Sequence, residues 1–476
     1  MNNSKVIDNQ EVRGEGSTNL YLNKKGDKKT IRGWQMFDWA NSAYSLVVTS
    51  AVFPIFYEGV TTSRDEVGNV TDLVMEAHKI PNTSLYSYFI SAGFLIAALM
   101  VPLLSGIADY SNNKKIFMKF FTIFGGLACM GLFFFDPNNV IPGLIMVMLA
   151  CIGYSGSIVF YDAYLPEIAD VKDHDKISAG GYSMGYIGSV LLLIFCLFMI
   201  TSPDTFGIPE VSGNPMAPRI ACVLVGVWWI AFAQITFRRL VKEPKMSKVP
   251  TEIFSKGYRE LRKVWKEVKN FPVLKWFLSA YFFFNMGVLT VMYLAANFAA
   301  KEIKQIDENG VERPMETMQL IITILIIQLV AIVGATVFSK LSKRIGNLKV
   351  LSMGIIAWIA ICITAYFVEY STAFFFLAGC VGMVMGGIQA LSRSTYSKLL
   401  PETIDHASYF SFFEICQFLG TIIGTFTFGF VLQMTGNIRN SILAVLVFFV
   451  VGLFLLSRVS SKMKSQRIAS DIEGSS

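Results

Sequence analysis

Histidine and charged residues are scarce in this chain of 476 residues. Three residues are histidine, and Asp, Glu, Lys and Arg together make up 16%, against about 25% in soluble proteins. Neither the HExxH motif of metalloproteases nor the GxxxxGK(S/T) motif of nucleotide-binding loops occurs. Tyr161-Asp162 matches the first half of an intramembrane aspartyl protease signature, but no Gly-x-Gly-Asp follows it. The sequence therefore predicts neither an enzyme nor a protein driven by ATP hydrolysis.

Cysteine patterns give no sign of a cofactor. All seven cysteines lie inside apolar segments, and no CxxC pair or paired extracellular pattern occurs. A disulfide framework and a thiolate metal site are therefore not expected, and the cysteines are predicted to be small side chains buried in the membrane. We predict no metal and no cofactor.

Apolar residues, by contrast, make up 53% of the chain, and the mean hydropathy is +0.52. They form runs of about the 20 residues that a helix needs to cross a bilayer. The sequence thus predicts an all-α membrane protein with about twelve transmembrane helices. The expected spans are 36–57, 86–108, 116–135, 140–162, 178–200, 219–237, 273–298, 317–339, 349–368, 372–396, 408–432 and 440–457.

The basic residues predict the orientation of these spans. Of 41 Lys and Arg residues, seven fall on one side when the spans alternate, namely Arg64, Lys79, Arg219, Lys301, Lys304, Arg313 and Arg439. Because basic residues collect in cytoplasmic loops, both termini are expected in the cytoplasm, which requires an even number of spans. The net charge of +7 is explained by this topology, and no nucleic-acid partner is expected because the basic residues are scattered over many loops.

A long polar connection divides the chain into two halves. We expect a cytoplasmic tail at 1–33, a six-helix bundle at 34–240, a cytoplasmic linker at 241–271, a second bundle at 272–458 and a cytoplasmic tail at 459–476. The linker repeats apolar residues at helical spacing among lysines and arginines, at Phe254, Tyr258, Leu261, Val264, Trp265 and Val268. Such a helix is expected to lie along the inner membrane surface; a calmodulin-like partner site is the alternative.

The two halves resemble each other. "YDAYLPEIAD" (161–170) follows the fourth span and "YSKLLPETID" (396–405) follows the tenth; "SGIADYSNNKK" (105–115) corresponds to "SKLSKRIGNLK" (339–349). In both pairs, the second segment follows the first by nearly the same number of residues, which indicates that the two halves arose by duplication. A parallel repeat of six helices is the arrangement of secondary transporters whose halves move around a site between them.

These segments resemble the major facilitator superfamily, whose loop between helices two and three has the pattern Gly-x-x-x-Asp-(Arg/Lys)-x-Gly followed by basic residues. Asp109, Lys114 and Lys115 fit that pattern, although both glycines are replaced. A sharper resemblance is to the autophagy-related vacuolar effluxer-like branch, through "FDWANSAY" (37–44), "PLLSGIADYS" (102–111), "FYDAYLPEIA" (160–169), "GYSMGYIGS" (181–189) and "GGIQALSRSTY" (386–396). Asp162 departs from it, because an amide is expected there. The resemblance implies a major facilitator fold of two six-helix bundles.

Polar residues inside the spans are candidates for a transport pathway. On an α-helix, Asp38, Asn41, Ser42, Ser45 and Thr49 would share one face, and such a face inside a membrane must contact protein or a water-filled cavity. The resemblance implies that helices one, four, seven and ten line this cavity. The candidate substrate or proton pathway comprises Asp38, Asn41, Ser42, Tyr44, Ser45, Tyr161, Asp162, Asn285, Gln389, Arg393, Glu414 and Gln417.

The carboxylates in this set have two interpretations each. Asp38 either binds a proton or a substrate ammonium, or is a helix-start residue near the positive end of the helix dipole. Asp162 either lines the pathway or pairs with a cation at the cytoplasmic edge. Arg393 is the expected cation for Asp38 or Asp162. Glu414, several residues into the eleventh span, is the best candidate for a buried acid, or else a carboxyl held by packing.

The cytoplasmic loops are expected to form a charge latch that holds one access state. In the first half, Asp109, Lys114 and Lys115 would contact Glu167 or the fifth helix. In the second half, Glu402 would pair with Arg344 or Lys349.

The sequence as a whole predicts a secondary transporter that moves a small polar solute, for which amino acids are one class, by alternating access coupled to a proton or another ion. Its expected location is a bacterial inner membrane, with the lipid bilayer as partner and a monomer as the working unit. The alternative is a transport-inactive membrane receptor or scaffold with the same fold.

Overall fold

The computed structural model describes residues 25–64, 70–72, 82–209, 213–240, 253–306 and 311–473. Within them, twelve helices are long and apolar enough to cross a membrane. We number them α1 to α12 in chain order: Lys28–Thr61, Asn82–Ser111, Lys114–Gly131, Val140–Asp162, His174–Thr201, Met216–Arg239, Pro272–Glu302, Thr317–Ile345, Asn347–Phe367, Ser371–Leu399, His406–Thr435 and Ile438–Glu473. The prediction of about twelve transmembrane helices is confirmed.

Shorter elements mark the two ends of the molecule. The linker helix, Ile253–Asn270, lies between α6 and α7, and we call its side of the molecule the linker end. The hairpins β1–β2 (Thr62–Arg64, Val70–Asp72) and β3–β4 (Lys304–Ile306, Glu312–Pro314) define the opposite, hairpin end. The remaining elements are a helical turn at Leu165–Ile168 and 3₁₀ turns at Leu132–Phe134, Val171–Asp173 and Pro203–Phe206.

Each apolar run becomes a helix because a backbone in hydrocarbon must satisfy its own hydrogen bonds. The helices extend past the expected spans at the polar ends, where water and side chains can complete the turns. At the start of α1, the Asp27 carboxylate accepts a hydrogen bond from the Thr30 N–H at 2.9 Å. The Thr30 hydroxyl and N–H lower the pKa of Asp27, which keeps this cap ionised.

The helices form two bundles of six, α1–α6 and α7–α12. In the first, α1 packs on α5 and α6, and α3 packs on α4 and α6; in the second, α7 packs on α11 and α12, and α8 packs on α10. Helices meet closely where glycine leaves room: a Cβ atom at Gly153 would lie less than 3.0 Å from the Cα atom of Gly125. The bundles contact each other through α5 with α8 and α10, and through α2 with α11.

The predicted polar face of α1 is interrupted. Between Tyr44 and Ala51 the helix widens to π-helical turns, so the spacing of 3.6 residues per turn that aligned Asp38 with Thr49 does not continue past Tyr44. The Thr49 hydroxyl donates to the Tyr44 carbonyl five residues earlier, at 3.4 Å. The prediction of one polar stripe from Asp38 to Thr49 is therefore wrong for its last turn.

The apolar residues of the linker helix do not all have the same surroundings. Val264 and Val268 are buried against the protein, whereas Tyr258 and Trp265 are exposed. Val264 and Val268 thus pack on the transmembrane helices and Tyr258 faces outward, while the half-exposed Trp265 ring also contacts Phe412 of α11, with ring centroids 5.4 Å apart. A single stripe resting on lipid does not describe them.

Candidate functional site

Arg393 lies at the centre of a buried charge cluster. Its side chain projects from α10 and is 1% exposed. One terminal nitrogen, Nη2, lies 3.0 Å from Asp38 Oδ2 on α1, and the other, Nη1, lies 3.1 Å from Asp162 Oδ1 at the end of α4. Because α1 and α4 belong to the first bundle and α10 to the second, this double ion pair joins the two halves.

The rest of the guanidinium is also held. Its Nε donates to the Ser178 hydroxyl at 3.0 Å and its Nη2 to the Ser178 carbonyl at 3.1 Å. Three rings surround it, with centroids 4.8 Å (Trp34), 5.4 Å (Tyr161) and 4.2 Å (Tyr182) from the guanidinium carbon. Such rings favour a desolvated cation. Arg393 is therefore fixed in one orientation.

Asp38 is a buried counter-ion. It is the eleventh residue of α1 and 4% exposed, so the helix-start interpretation is wrong, because the dipole effect is confined to the first turn. The Tyr161 hydroxyl donates to Asp38 Oδ2 at 2.7 Å, and Trp34 Nε1 donates to the Tyr161 carbonyl at 2.9 Å. Arg393, the cation that the sequence suggested for Asp38 or Asp162, contacts both of them.

Glu414 adds a third carboxyl to the cluster. It is 2% exposed in α11, and its carboxyl is close enough to that of Asp162 for the two groups to interact electrostatically. Among the described residues, no protein donor reaches its Oε2 atom. Two carboxylates in contact repel each other when both are ionised, so a hydrogen bond between Glu414 and Asp162 forms only when one of them carries a proton.

The other predicted pathway residues are more dispersed. Asn41 and Asn285 are buried, and within the described residues their amide nitrogens have no acceptor. Gln389 accepts from the Tyr186 hydroxyl at 2.7 Å, and Gln417 accepts from the Tyr281 hydroxyl at 3.2 Å. Ser45 donates to the Ser42 carbonyl of its own helix, and the Tyr44 ring stacks on Trp229 inside the first bundle. The structure brings together Asp38, Tyr161, Asp162, Arg393 and Glu414.

Sequence reasoning missed several residues of the cluster. Ser178 and Tyr182 lie on α5, which was not among the helices expected to line the pathway. Tyr182 lies within the "GYSMGYIGS" segment and Ser178 three residues before it, so the family resemblance of that segment was the available signal. Trp34 lies just before the first expected span, and no pattern marked it.

At the linker end, the predicted contact between Lys114 and Glu167 forms, but Asp109 contacts α11 and not Glu167 or the fifth helix. Asp109 accepts hydrogen bonds from the backbone N–H groups of Ala407 (3.2 Å) and Ser408 (2.6 Å) in the first turn of α11. Lys114 forms a buried ion pair with Glu167, and Glu167 also lies 2.9 Å from His406 Nδ1. The contacts from Asp109 and Glu167 cross between the bundles. Lys115 instead donates to the Leu240 carbonyl at 2.9 Å.

The second-half latch is different from the prediction. Glu402, Arg344 and Lys349 are exposed, and the expected ion pair among them does not form in the described part of the chain. Asp175 of α5 is the carboxylate that contacts the second bundle here. It accepts hydrogen bonds from Lys398 Nζ at 2.5 Å, Asn347 Nδ2 at 2.8 Å and the Ser342 hydroxyl at 3.0 Å. The carboxylate comes from the opposite bundle, which pairing within one half could not reveal.

Gly181 provides the space that the cluster needs. A Cβ atom there would lie less than 3.0 Å from both Asp38 Oδ2 and Arg393 Nη2. We expect Gly181→Ala to separate this ion pair and to lower the melting temperature of the purified protein, although alanine favours helices by about 1 kcal/mol. In Gly420→Ala the nearest atom to the new Cβ would be 3.5 Å away, so this control should melt at or above the wild-type temperature. Equal melting of the two variants would contradict the close packing at Gly181.

The fold and its similarity to known proteins define the class of this protein. It is similar to the crystal structure of the major facilitator superfamily transporter FucP in the outward conformation, with a TM-score of 0.63 and 14% identity over 91% of this chain and 99% of that one. The proton:xylose symporter XylE bound to 6-bromo-6-deoxy-D-glucose has a TM-score of 0.63 and 12% identity, over 90% of this chain and 95% of that one. With its twelve apolar helices, the protein is thus an integral membrane protein of the major facilitator fold.

Sequence relatives narrow the class to a family. The family model described as "Vacuole effluxer Atg22 like" matches residues 26–469. The MFS-type transporter YxiO of Bacillus subtilis (strain 168) is 31% identical over 433 residues, which cover 90% of this chain and 95% of that protein. The chain belongs to the Atg22-like vacuole effluxer family, as the sequence resemblance predicted.

Proposed function

We propose that this protein is a proton-coupled secondary transporter for a small polar solute, and that Glu414 and Asp162 carry the coupling proton. The observation that supports this most strongly is the charge balance of the buried cluster. One guanidinium faces three carboxyl groups, and all four residues are buried where charges are expensive. An intramembrane carboxyl without its own cation is the group that a proton can load and release.

Asp38 is a less suitable proton carrier than Glu414. Its Oδ2 atom accepts from both the Arg393 guanidinium and the Tyr161 hydroxyl, so Asp38 already has a cation of its own. Glu414 has no cation of its own at hydrogen-bond distance among the described residues, so a proton is its simplest partner.

Coupling follows from the position of the cluster between the bundles. The bundles are joined by Arg393, by Asp109 and by Asp175, all in the part of the helices nearest the linker end. Opening the linker end requires these contacts to break. Protonation of a carboxyl beside Arg393 weakens its hold on the cation, so proton binding would bias the equilibrium between access states. The similarity in fold to a proton:xylose symporter agrees with this scheme.

Orientation and location follow from the basic residues. The proposal places the linker end, both termini and the linker of 241–271 in the cytoplasm, with bundles at 34–240 and 272–458, in a bacterial inner (plasma) membrane. A monomer suffices, because the cluster is completed within one chain. The family description as effluxers suggests export, and amino acids are the first solutes to test.

Glu414→Gln is the test of coupling. A thermal-shift screen against amino acids, sugars, nucleosides and peptides first identifies a solute that binds the wild type. In proteoliposomes, the wild type should then accumulate that solute when a pH gradient is imposed. Glu414→Gln should lose this accumulation and keep solute exchange without a gradient, because the glutamine amide cannot be deprotonated.

Glu402→Gln is the matched control, because it makes the same chemical change on an exposed side chain at the linker end and should behave as wild type. Accumulation by Glu414→Gln at the wild-type level would contradict the assignment of the proton to Glu414. A wild-type protein that binds a solute but neither exchanges nor accumulates it would support the receptor alternative.

A further inference from the structure

The linker helix is fastened to the first bundle through α2. Gly257 packs so closely on α2 that a Cβ atom at Gly106 would lie less than 3.0 Å from the Gly257 carbonyl oxygen. Val264 and Val268 are buried on the same side of the helix. Since Gly106 lies in the last turns of α2 before Ser111, the linker helix runs at the depth of that membrane-spanning helix's end.

The same helix is fastened to the second bundle through α11. Lys263 Nζ lies 3.1 Å from Asp405 Oδ2, and the Tyr409 hydroxyl donates to Glu267 Oε2 at 2.7 Å. Partial burial alone would lower the pKa of Lys263, but the carboxylates of Glu260 and Asp405 outweigh this and raise it, so Lys263 stays charged. The linker helix thus bridges both bundles at the boundary between hydrocarbon and water.

The outward side of the linker helix combines aromatic and basic side chains. Tyr258 and Trp265, seven residues or two turns apart, are 59% and 47% exposed. Beside them, Arg262, Lys266 and Lys269 are exposed at the spacing i, i+4 and i+7, which forms one stripe on a helix. The Lys269 ammonium lies 5.1 Å from the centroid of the Trp265 ring. We call these five residues the outer face.

We propose that the outer face binds the anionic headgroups of the lipid leaflet at the linker end. Tyrosine and tryptophan are the side chains that settle at the headgroup level, and a basic stripe beside them complements phosphate. The depth fixed by Gly106 places the aromatics at that level. A calmodulin-like groove is disfavoured, because Val264 and Val268, which it would need, are already buried.

Lipid bound to the outer face would also affect transport. Because the linker helix bridges α2 and α11, a leaflet that holds its outer face acts on both bundles at the end that must open. This lipid site is independent of the proposed proton coupling, since none of its residues contacts the Arg393 cluster. Its test therefore measures lipid binding directly.

The test compares lipid binding to the purified full chain in detergent after delipidation. Phosphatidylglycerol and phosphatidylcholine with identical acyl chains are titrated separately, and bound lipid is counted by native mass spectrometry. We expect the wild type to prefer phosphatidylglycerol. The variant Arg262→Gln/Lys266→Gln/Lys269→Gln should bind phosphatidylglycerol about tenfold more weakly, because each cation near a headgroup contributes, and should bind phosphatidylcholine as before.

The matched control is Lys340→Gln/Lys343→Gln/Arg344→Gln, which removes three exposed charges from the same end, near the junction of α8 and α9. It should keep the wild-type preference. An equal loss in both variants would overturn the proposal, because the overall charge of the linker end would then account for binding. Unchanged binding in the linker-helix variant would overturn it as well. Melting temperatures of all three proteins confirm that each is folded.

Discussion

Arg393→Gln should abolish solute exchange and gradient-driven accumulation, and should destabilise the protein by about 3–5 kcal/mol. The substitution leaves Asp38 and Asp162 buried without their shared cation, and it removes the contact that holds α10 against α1 and α4. Leaving a buried charge without its partner destabilises a protein by more than the intact ion pair stabilised it. The measurement is the melting temperature in detergent, which needs no knowledge of the substrate, followed by exchange in proteoliposomes.

The triple variant Asp38→Asn/Asp162→Asn/Arg393→Gln separates stability from function. It removes the charges together, so most of the lost stability should return while transport stays absent. Arg344→Gln, which removes an exposed arginine from the linker end, should change neither property. If Arg393→Gln alone melts at the wild-type temperature, the carboxylates do not depend on Arg393, and the proposed charge balance is wrong.

Asp109→Ala should increase the population in which the linker end is open by about tenfold or more. Asp109 accepts hydrogen bonds from two backbone N–H groups at the start of α11. The helix dipole favours an anion at this position. Each hydrogen bond to a charged group stabilises the contact by about 1.5–3 kcal/mol. Because the contact joins the bundles, its loss favours the state in which they separate. Distances between spin labels at Lys172→Cys and Glu402→Cys, both exposed at the linker end, report the two populations.

The label experiment requires a background in which the seven native cysteines are replaced. Asp136→Ala is the control, because it removes an exposed carboxylate from the turn between α3 and α4 at the hairpin end. Its label distances should match those of the unsubstituted protein. If Asp109→Ala leaves the distance distribution unchanged, the latch does not contribute to the balance between access states, and Asp109 serves only to cap α11.

The two expected results concern the same end of the molecule at different depths. Asp109 acts at the surface of the linker end, and Arg393 acts deeper between the helices. Loss of Asp109 should shift a balance in a folded protein, whereas loss of Arg393 should damage the fold itself. Asp109→Ala should therefore open the linker end without lowering the melting temperature. Arg393→Gln should lower the melting temperature.

Much of the architecture follows from the sequence alone. A helix across a membrane satisfies its backbone hydrogen bonds locally, so the length and composition of each apolar run are enough to predict it. The same reasoning predicted the linker helix and marked Asp38, Asp162, Arg393 and Glu414 as unusual, because a charge in such a run requires a compensating partner. The family resemblance followed from short segments distributed over both halves.

The sequence suggested Arg393 as the cation for Asp38 or Asp162, and only the tertiary structure decided that it pairs with both. Asp38 and Arg393 are 355 residues apart, and no periodicity relates α1 to α10, so their pairing depends on how two bundles dock. The replacement of Glu402 by Asp175 as the partner of the second-half latch has the same cause. The π-helical turns of α1 and the bridging of α2 and α11 by the linker helix also come from packing. Helices can be predicted from the sequence because backbone hydrogen bonds and hydrophobicity depend on residues close together in the chain. Which distant helices contact each other depends on how the side chains of the assembled bundles fit together.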